Sequence, residues 1–248
     1  LASGASVTMT AAQNNSLSGT ITAAGTETIT ISDANDATGL ANIEAYSLAN
    51  GDQTFTLGAA SQDVTTGSGA VVISTGAIAD ITDAVLDGSN ATTSLKITVA
   101  ADTDISDATI TGTNGTQDAD YSIDIATDAD AITMTRAQHG LLGTVNDGAD
   151  ATITLSDAGA ATGNANIGTY VLADGGGSTF TLGADAQNVT TGNGADTIDV
   201  GTRTATGTFT TVAADTIKLG NGADVQSVIL GGGLTGQAFT ANNLTLAS

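Results

Sequence analysis

The chain has 248 residues, of which 26 are Asp or Glu and only four are Lys or Arg, so its formal net charge is −22. Nucleic acids and anionic membranes bind proteins through basic surfaces, so neither is an expected partner. The chain contains no cysteine, which excludes disulfides, thiolate metal sites and a cysteine nucleophile.

Short segments along the chain alternate Thr or Ser with aliphatic residues, and each predicts a β-strand. Period two places the aliphatic residues on one face and the hydroxyls on the other. Gly, Asn and Asp clusters separate the segments and predict tight turns, whereas segments 34–45 and 158–167 predict loops or single turns. The predicted strands are 7–10, 28–32, 54–57, 96–99, 121–125, 132–135, 152–156, 179–182, 197–200 and 216–219.

A long internal repeat organises the chain. VTMTAAQ and TFTLGAASQDVTTGSGA in residues 7–70 return as ITMTRAQ and TFTLGADAQNVTTGNGA in residues 132–195. The second copy has a one-residue deletion near Ser18 and a one-residue insertion near Gly176. We therefore predict two repeat units, 1–131 and 132–248, and long repeats of this kind serve reach, scaffolding or display more often than catalysis.

A finer repeat lies between the two large copies. Residues 81–104 and 105–130 both run I-[ST]-D-A, then a Gly-Ser-Asn or Gly-Thr-Asn turn, then an alternating strand. Two short tandem coils of this length fit a parallel β-solenoid, whose narrow core also explains the scarcity of aromatic residues. The predicted fold is an all-β, parallel β-solenoid or β-roll-like repeat, and a tandem antiparallel β-sandwich is the alternative.

Two GNGAD motifs are the candidate metal sites. Both resemble the nonapeptide G-G-x-G-x-D-x-U-x of calcium-binding β-rolls, although Thr191 and Leu219 replace the first glycine. Stacked glycine turns direct carbonyls inward, and the Asp adds a carboxylate, so the turns form an oxygen cage for Ca²⁺. In the first copy Val71 replaces the Asp, which indicates that the turn can form without the carboxylate, and the alternative interpretation is a solenoid turn with a solvated Asp. The predicted metal residues are Gly192, Asn193, Gly194, Asp196, Asp199, Gly220, Asn221, Gly222 and Asp224.

The motif [IL]-[ST]-D-A contains four further aspartates. The first and last intervals between them are equal, which suggests one corner of successive coils, where stacked carboxylates would repel one another unless cations or hydrogen bonds compensate. The favoured interpretation is an Asx-turn, in which the carboxylate accepts the backbone N–H two residues later. The four residues are Asp33, Asp83, Asp107 and Asp157.

Catalysis finds little support in the sequence, and we expect no enzyme. The single histidine, His139, corresponds to Asn14 in the first copy, so the repeat does not require it, and one histidine makes neither the usual zinc site nor a convincing triad. Tyr46 and Tyr170 occupy matching repeat positions, which indicates a structural role.

The phrases ETITISDA, TFTLGA, VTTGNGADTIDVG and AADTIKLGNGAD resemble repeat units of large bacterial surface proteins. These include RTX-type secreted adhesins, S-layer proteins and other β-strand repeat proteins. The resemblance implies an exported, calcium-dependent, non-enzymatic structural role. Because open solenoid ends and sheet edges invite head-to-tail stacking of like units, the first hypothesis is an extracellular subunit of a bacterial fibre, sheath or S-layer that polymerises with itself. The alternatives are a spacer or binding segment of a giant adhesin, with a cell-surface polysaccharide as ligand, and, as the weakest, a solenoid enzyme acting on polysaccharide. Residues 1–10 lack the features of a signal peptide, and no segment has the apolar length to span a membrane.

Overall fold

The computed structural model of the protein divides into two compact units, Leu1–Ala129 (unit 1) and Asp130–Ser248 (unit 2). Within each unit the chain winds in coils, and successive coils pair through short parallel strands. The predicted parallel β-solenoid is confirmed, and the antiparallel sandwich is wrong. The structure describes residues 2–17, 21, 25–112, 121–126, 131–146, 150–174, 177–201, 208–210, 216–218, 229–231 and 238–240.

Unit 1 contains the first twelve strands. They are β1 (Ser6–Met9), β2 (Thr28–Ile31), β3 (Ala37–Thr38), β4 (Ala45–Ser47), β5 (Gln53–Thr56), β6 (Asp63–Thr65), β7 (Ala70–Ser74), β8 (Val85–Asp87), β9 (Ser94–Val99), β10 (Thr103–Asp104), β11 (Thr109–Thr111) and β12 (Tyr121–Ile125). In sheet 1, β1, β2, β4, β6, β8 and β11 pair in that order. In sheet 2, β3, β5, β7, β9 and β12 do the same.

Unit 2 repeats this arrangement. Its strands are β13 (Ala131–Met134), β14 (Leu142–Val145), β15 (Thr152–Leu155), β16 (Ala160–Thr162), β17 (Thr169–Val171), β18 (Thr179–Thr181), β19 (Asn188–Thr190), β20 (Thr197–Asp199), β21 (Thr208–Thr210), β22 (Thr216–Lys218), β23 (Ile229–Gly231) and β24 (Ala238–Thr240). In sheet 3, β13, β15, β17, β19, β21 and β23 pair in order. In sheet 4, β16, β18, β20, β22 and β24 pair in order.

The long sequence repeat corresponds to three coils in each unit. In unit 1, Ser6 pairs with Thr28, Thr28 with Ala45 and Ala45 with Asp63, so each of these intervals is one coil. In the matching pairs of unit 2 the first coil is shorter by a single residue, the middle coil is equal in length and the third is longer by a single residue. The deletion and the insertion of the second copy therefore fall in separate coils, and the strand register is unchanged.

Longer coils follow in unit 1. Val71 pairs with Leu95, and Leu95 pairs in turn with Tyr121. These two intervals have the same lengths as the tandem segments 81–104 and 105–130 of the sequence. Coil length therefore varies in the turns while the strand pairing is kept.

The core of each unit consists of side chains that stack in register from coil to coil. From β2 to β8 the inward residues of sheet 1 are fully buried, and the inward residues of sheet 2 from β5 to β12 are buried in the same way. The tilted contact between Tyr46 and Phe55, with ring centroids 4.7 Å apart, joins the two sheets, and Tyr170 and Phe180 repeat it at 4.6 Å in unit 2. Aligned apolar side chains that are buried from solvent in this way supply most of the hydrophobic stabilisation of the fold. The sheet 1 ladder is Ile29, Tyr46, Val64 and Leu86, and the sheet 2 ladder is Phe55, Ile73, Ile97 and Ile123.

Some elements differ from the sequence prediction. The segments expected to be loops contain β3 and β16, which are too short for a period-two pattern to reveal. Two short helices, α1 (Ala11–Asn15) and α2 (Arg136–His139), were also not predicted. Both begin with a capping box, in which the Thr10 or Thr135 hydroxyl accepts the N–H of the glutamine three residues later, while that glutamine side chain accepts the threonine N–H.

A buried glutamine joins the turns of two successive coils in each unit. In unit 1, Gln62 Nε2 donates to the carbonyls of Leu40 (3.1 Å) and Ile43 (2.7 Å), while Gln62 Oε1 accepts the N–H of Gly58 (2.9 Å). A single side chain thereby satisfies backbone groups that the strand ladders do not reach. Gly58 lies so close to the preceding coil that a Cβ there would overlap the carbonyl of Gly39.

The same bridge recurs in unit 2. Gln187, which is 1% exposed, donates to the carbonyls of Asn164 (2.7 Å) and Ile167 (2.8 Å). Its Oε1 accepts the N–H groups of Gly183 (2.6 Å) and Ala184 (3.1 Å). The repetition of this bridge explains the glutamine that both repeat copies share.

Replacing Gln187 with methionine is expected to destabilise unit 2 strongly. The apolar side chain keeps the volume but leaves buried carbonyl and N–H groups without a partner, at a cost of about 1–3 kcal/mol for each unsatisfied group. Urea unfolding measures the change. The exposed neighbour offers a control, A186S, which is expected to stay within about 0.5 kcal/mol of the parent protein; equal stability of the two variants would contradict the bridge.

Candidate functional site

The GNGAD turn of unit 2 lies between β19 and β20 and stacks on the turn of the preceding coil. The backbone N–H and the side-chain Nδ2 of Asn193 both donate to Oδ1 of Asp174, at 2.8 and 3.1 Å. In unit 1 the corresponding junction is formed by the N–H of Ser68, which donates to Oδ1 of Asn50 at 3.0 Å. Asn193 therefore acts as a donor that links two coils.

The glycines of the turn meet two different requirements. Gly194 has a φ of 144°, a backbone conformation that favours glycine. Gly192 is needed for close packing, because a Cβ there would overlap the carbonyl of Ala173 in the coil before. Gly67 has the same relation to Ala49 in unit 1, so this glycine is a feature of coil stacking in both copies.

Asp196, the central residue of the predicted metal site, lies inside the solenoid. It is 1% exposed, and its Oδ1 accepts the backbone N–H of Ser178 at 2.6 Å. Ser178 in turn accepts the N–H of Gly159 through its hydroxyl, at 3.3 Å. Three consecutive coils are thus connected by side-chain oxygens at this corner.

In unit 1 the equivalent junction between two coils is also bridged by a carboxylate, but the carboxylate belongs to the other coil of the pair. Val71 takes the place of Asp196, and the carboxylate comes from the preceding coil, where Oδ1 of Asp52 accepts the N–H of Ala70 at 2.8 Å. Gln53 occupies the interior position of Ser178 and donates to the carbonyl of Ala49. The Asp-to-Val difference between the copies therefore reflects a change in which coil supplies the carboxylate.

The described residues of the first GNGAD motif make separate contacts within the fold. Asp199 forms an Asx-turn, in which its Oδ1 accepts the N–H of Gly201 at 2.9 Å. Within the described residues no group of three or more His, Cys, Asp or Glu side chains is placed to hold a metal ion. The second motif, with Gly220, Asn221, Gly222 and Asp224, lies outside the described residues.

The four [IL]-[ST]-D-A aspartates do not share one corner, so that prediction is wrong. Asp33 and Asp157 follow the strands β2 and β15, whereas Asp83 and Asp107 precede β8 and β11. The sequence motif therefore occurs at two different positions within a coil, after a strand in one case and before a strand in the other.

Asp33 and Asp157 also do not form the expected Asx-turns. Oδ1 of Asp33 accepts the N–H of Ala11 at the start of α1 (2.7 Å), and Oδ1 of Asp157 accepts the N–H of Arg136 at the start of α2 (2.6 Å). Asp157 additionally forms an ion pair with the Arg136 guanidinium at 3.0 Å. These carboxylates fix the short helices to the next coil.

Carboxylate and amide oxygens that accept a backbone N–H from another coil are the common feature of both units. Each bond spans about one coil of sequence and lies at the end of a strand ladder or in the turn beside it. The bonds accepted by carboxylate or amide side chains are Asn15 to Thr38 (3.0 Å), Asp33 to Ala11 (2.7 Å), Asp36 to Thr54 (2.7 Å), Glu44 to Glu27 (3.1 Å), Asn50 to Ser68 (3.0 Å), Asp52 to Ala70 (2.8 Å), Asp63 to Val85 (2.8 Å), Asp157 to Arg136 (2.6 Å), Asp174 to Asn193 (2.8 Å) and Asp196 to Ser178 (2.6 Å).

Backbone N–H groups that bond to carboxylates lower the pKa of two aspartates, one bonded to another coil and one in a local turn. The N–H of Ala11 is the main cause that holds the pKa of Asp33 below its ordinary value. The N–H of Ser89, in an Asx-turn, lowers the pKa of Asp87 in the same way. These groups stabilise the folded state when ionised, and that contribution is lost as the pH falls through the lowered pKa values.

A buried polar pair occupies the same place in both units. In unit 1 the Tyr46 hydroxyl accepts the N–H of Leu40 (2.9 Å) and donates to Oδ1 of Asn14 (3.2 Å). In unit 2 the Tyr170 hydroxyl accepts the N–H of Asn164 (2.7 Å) and lies 3.0 Å from Nε2 of His139. His139 is thus the counterpart of Asn14 in contact as well as in sequence.

The hydrogen bond between Tyr170 and His139 depends on the protonation of both groups. Burial raises the pKa of both tyrosines, that of Tyr46 to about 12, so their hydroxyls stay protonated. When the Tyr170 hydroxyl donates to Nε2, as the Tyr46 hydroxyl donates to Asn14, the histidine proton lies on Nδ1. Burial also lowers the pKa of His139, which favours this neutral acceptor.

Comparison with models of known protein families, with curated proteins and with solved structures finds no match to this chain. Among the described residues, no helix has the length and apolar character needed to cross a membrane.

Substitutions of Asp196 distinguish a structural carboxylate from a metal ligand. In chelator, D196A is expected to lose about 1–3 kcal/mol of stability, because the buried N–H of Ser178 loses its acceptor, whereas D196N retains an oxygen there and loses less. Urea unfolding with chelator and with Ca²⁺ measures both variants. If instead they match the parent in chelator and both fall short of it only in Ca²⁺, Asp196 is a calcium ligand.

His139 is expected to make the stability of unit 2 depend on pH. Its pKa is lower in the folded than in the unfolded state, so folding disfavours the proton and stability falls as the pH drops below about 6.5. Tyr170 is the titratable group in contact with it, and Arg136, on the same helix, is paired with Asp157.

The variant H139N reproduces the residue of unit 1 and is expected to remove this dependence. Urea unfolding between pH 5 and pH 8 compares it with the parent. An identical pH dependence in the two proteins would exclude His139 as its source.

Proposed function

We propose that this chain is a structural building block of an extracellular bacterial assembly: a repeat subunit of a fibre, sheath or S-layer that associates with further copies of itself. The main support is the use made of its acidic side chains. At each coil junction detailed above, a carboxylate or amide accepts a backbone N–H and holds one coil to the next. A chain whose ionisable side chains hold its own coils together is better suited to a scaffold than to a catalyst.

Calcium stabilisation is part of the proposal. It is supported by the net charge of −22, which opposes folding by self-repulsion, and by the resemblance of the GNGAD turns to calcium-binding β-rolls. A cation bound only by the folded protein would add stability by mass action.

A second candidate is a spacer in a giant adhesin, with a cell-surface polysaccharide as the ligand. One observation favours it. The three-coil block occurs twice within a single chain with its register kept, so length can grow by covalent repetition without self-association.

Negative-stain electron microscopy of the purified chain, with millimolar Ca²⁺ and with excess chelator, tests these functions. A subunit of a fibre or layer is expected to form ordered arrays in Ca²⁺ that disperse in chelator. Particles that stay single in both conditions contradict the proposal of a self-assembling subunit, and the spacer of a giant adhesin is then the remaining candidate.

Thermal unfolding in the same two buffers tests calcium separately from assembly. The melting temperature is expected to be higher in Ca²⁺ than in chelator, and Mg²⁺ at equal ionic strength controls for screening. A melting temperature that is the same in all three buffers contradicts calcium stabilisation.

A further inference from the structure

The first strand of sheet 2 has an edge that α1 covers. β3 lies at the end of this sheet, and the N–H of Gly39, just after the strand, donates to Thr56 of β5 at 2.8 Å. In a parallel ladder, consecutive residues direct their backbone groups to opposite sides. Thr38 therefore directs its N–H and carbonyl away from β5, towards the open side of the sheet.

Two asparagine side chains of α1 bind these outward groups. Oδ1 of Asn15 accepts the N–H of Thr38 at 3.0 Å, and Nδ2 of Asn14 donates to the Thr38 carbonyl at 2.8 Å. Nδ2 of Asn15 also donates to the carbonyl of Asp36 at 3.0 Å. Side-chain amides thus supply one acceptor and two donors to the edge of β3, which are the kinds of group that a neighbouring strand would supply.

The helix that carries these amides is fixed in place. The capping box of Thr10 and Gln13 defines its start, and the Asp33 carboxylate accepts its first N–H. Asn14 is fully buried and also accepts the hydroxyl proton of Tyr46. The amides therefore bind the edge from a rigid support.

Unit 2 does not contain these two amides. Its counterpart of Asn14 is His139, and its counterpart of Asn15 is Gly140, which has no side chain. The amide contacts are consequently a property of unit 1, although the rest of the three-coil block is shared.

We propose that α1 is an edge cap, and that Asn15 prevents an extended segment of a second copy of this chain from adding to β3. Exposed strand edges are templates for pairing with another chain, and proteins commonly cover them. A second copy is the fitting occupant, because its strands already pair in parallel with the same backbone geometry. This inference does not depend on the proposed function, since the cap acts whether or not the parent protein forms arrays.

The test compares N15A with the parent chain and with two controls. S16A removes a hydroxyl that bonds the Gln13 carbonyl on the same helix without touching β3, and N15D keeps the acceptor for Thr38. Asn15 is exposed, so its substitution leaves the core unchanged, which circular dichroism checks. Amide hydrogen exchange at Thr38 and sedimentation velocity over a range of protein concentrations are the measurements.

In N15A the Thr38 amide is expected to exchange about fivefold faster or more, as the loss of one hydrogen bond implies, and larger species are expected to appear as the concentration rises. S16A is expected to match the parent in both measurements, and N15D, which keeps the acceptor for the Thr38 N–H but loses the donor to Asp36, is expected to match it in Thr38 exchange. An N15A protein whose Thr38 exchange or sedimentation equals that of the parent overturns the proposal. So does a S16A protein that associates as N15A does, because the effect would then belong to the helix rather than to the amide.

Discussion

The fold depends on hydrogen bonds that cross from one coil to the next outside the strands. The strands are short and pair only over a small part of each coil, so much of the backbone lies in turns where no ladder exists. Buried backbone groups need partners, and an unsatisfied one costs about as much as several apolar contacts contribute. In this protein, carboxylates and amides supply those partners, from Asp33 at the first helix to Asp196 in the GNGAD turn.

This constraint also explains the composition. An acidic side chain at a turn accepts an N–H from the neighbouring coil, and its charge strengthens the bond. Glycines such as Gly67 and Gly192 let the coils approach closely enough for these bonds to form. The net charge of −22 thus arises in part from residues with a defined structural task, and calcium binding is a separate property that has its own test.

The sequence was sufficient for the fold class and for the longer strands, because alternation of Thr with aliphatic residues is a local signal. A strand as short as β3 carries no such signal. The helices were missed although Thr10 and Gln13 have capping-box spacing, since a single helical turn shows no helical period. The role of Gln187 could not be predicted, because the carbonyls that it binds belong to the preceding coil and are defined only once the register is known. Asp196 was identified as special, yet its partner Ser178 belongs to another coil.

The change of side between Asp52 and Asp196 limits how coils of this type can be rearranged. In unit 1 the carboxylate of Asp52 comes from the preceding coil of the junction, whereas in unit 2 the carboxylate of Asp196 comes from the following coil. A junction that combined the preceding coil of unit 1 with the following coil of unit 2 would place both carboxylates together. The reverse combination would contain no carboxylate. Neighbouring coils are therefore matched pairs, so recombination between such repeats is expected to exchange whole blocks of coils rather than single ones.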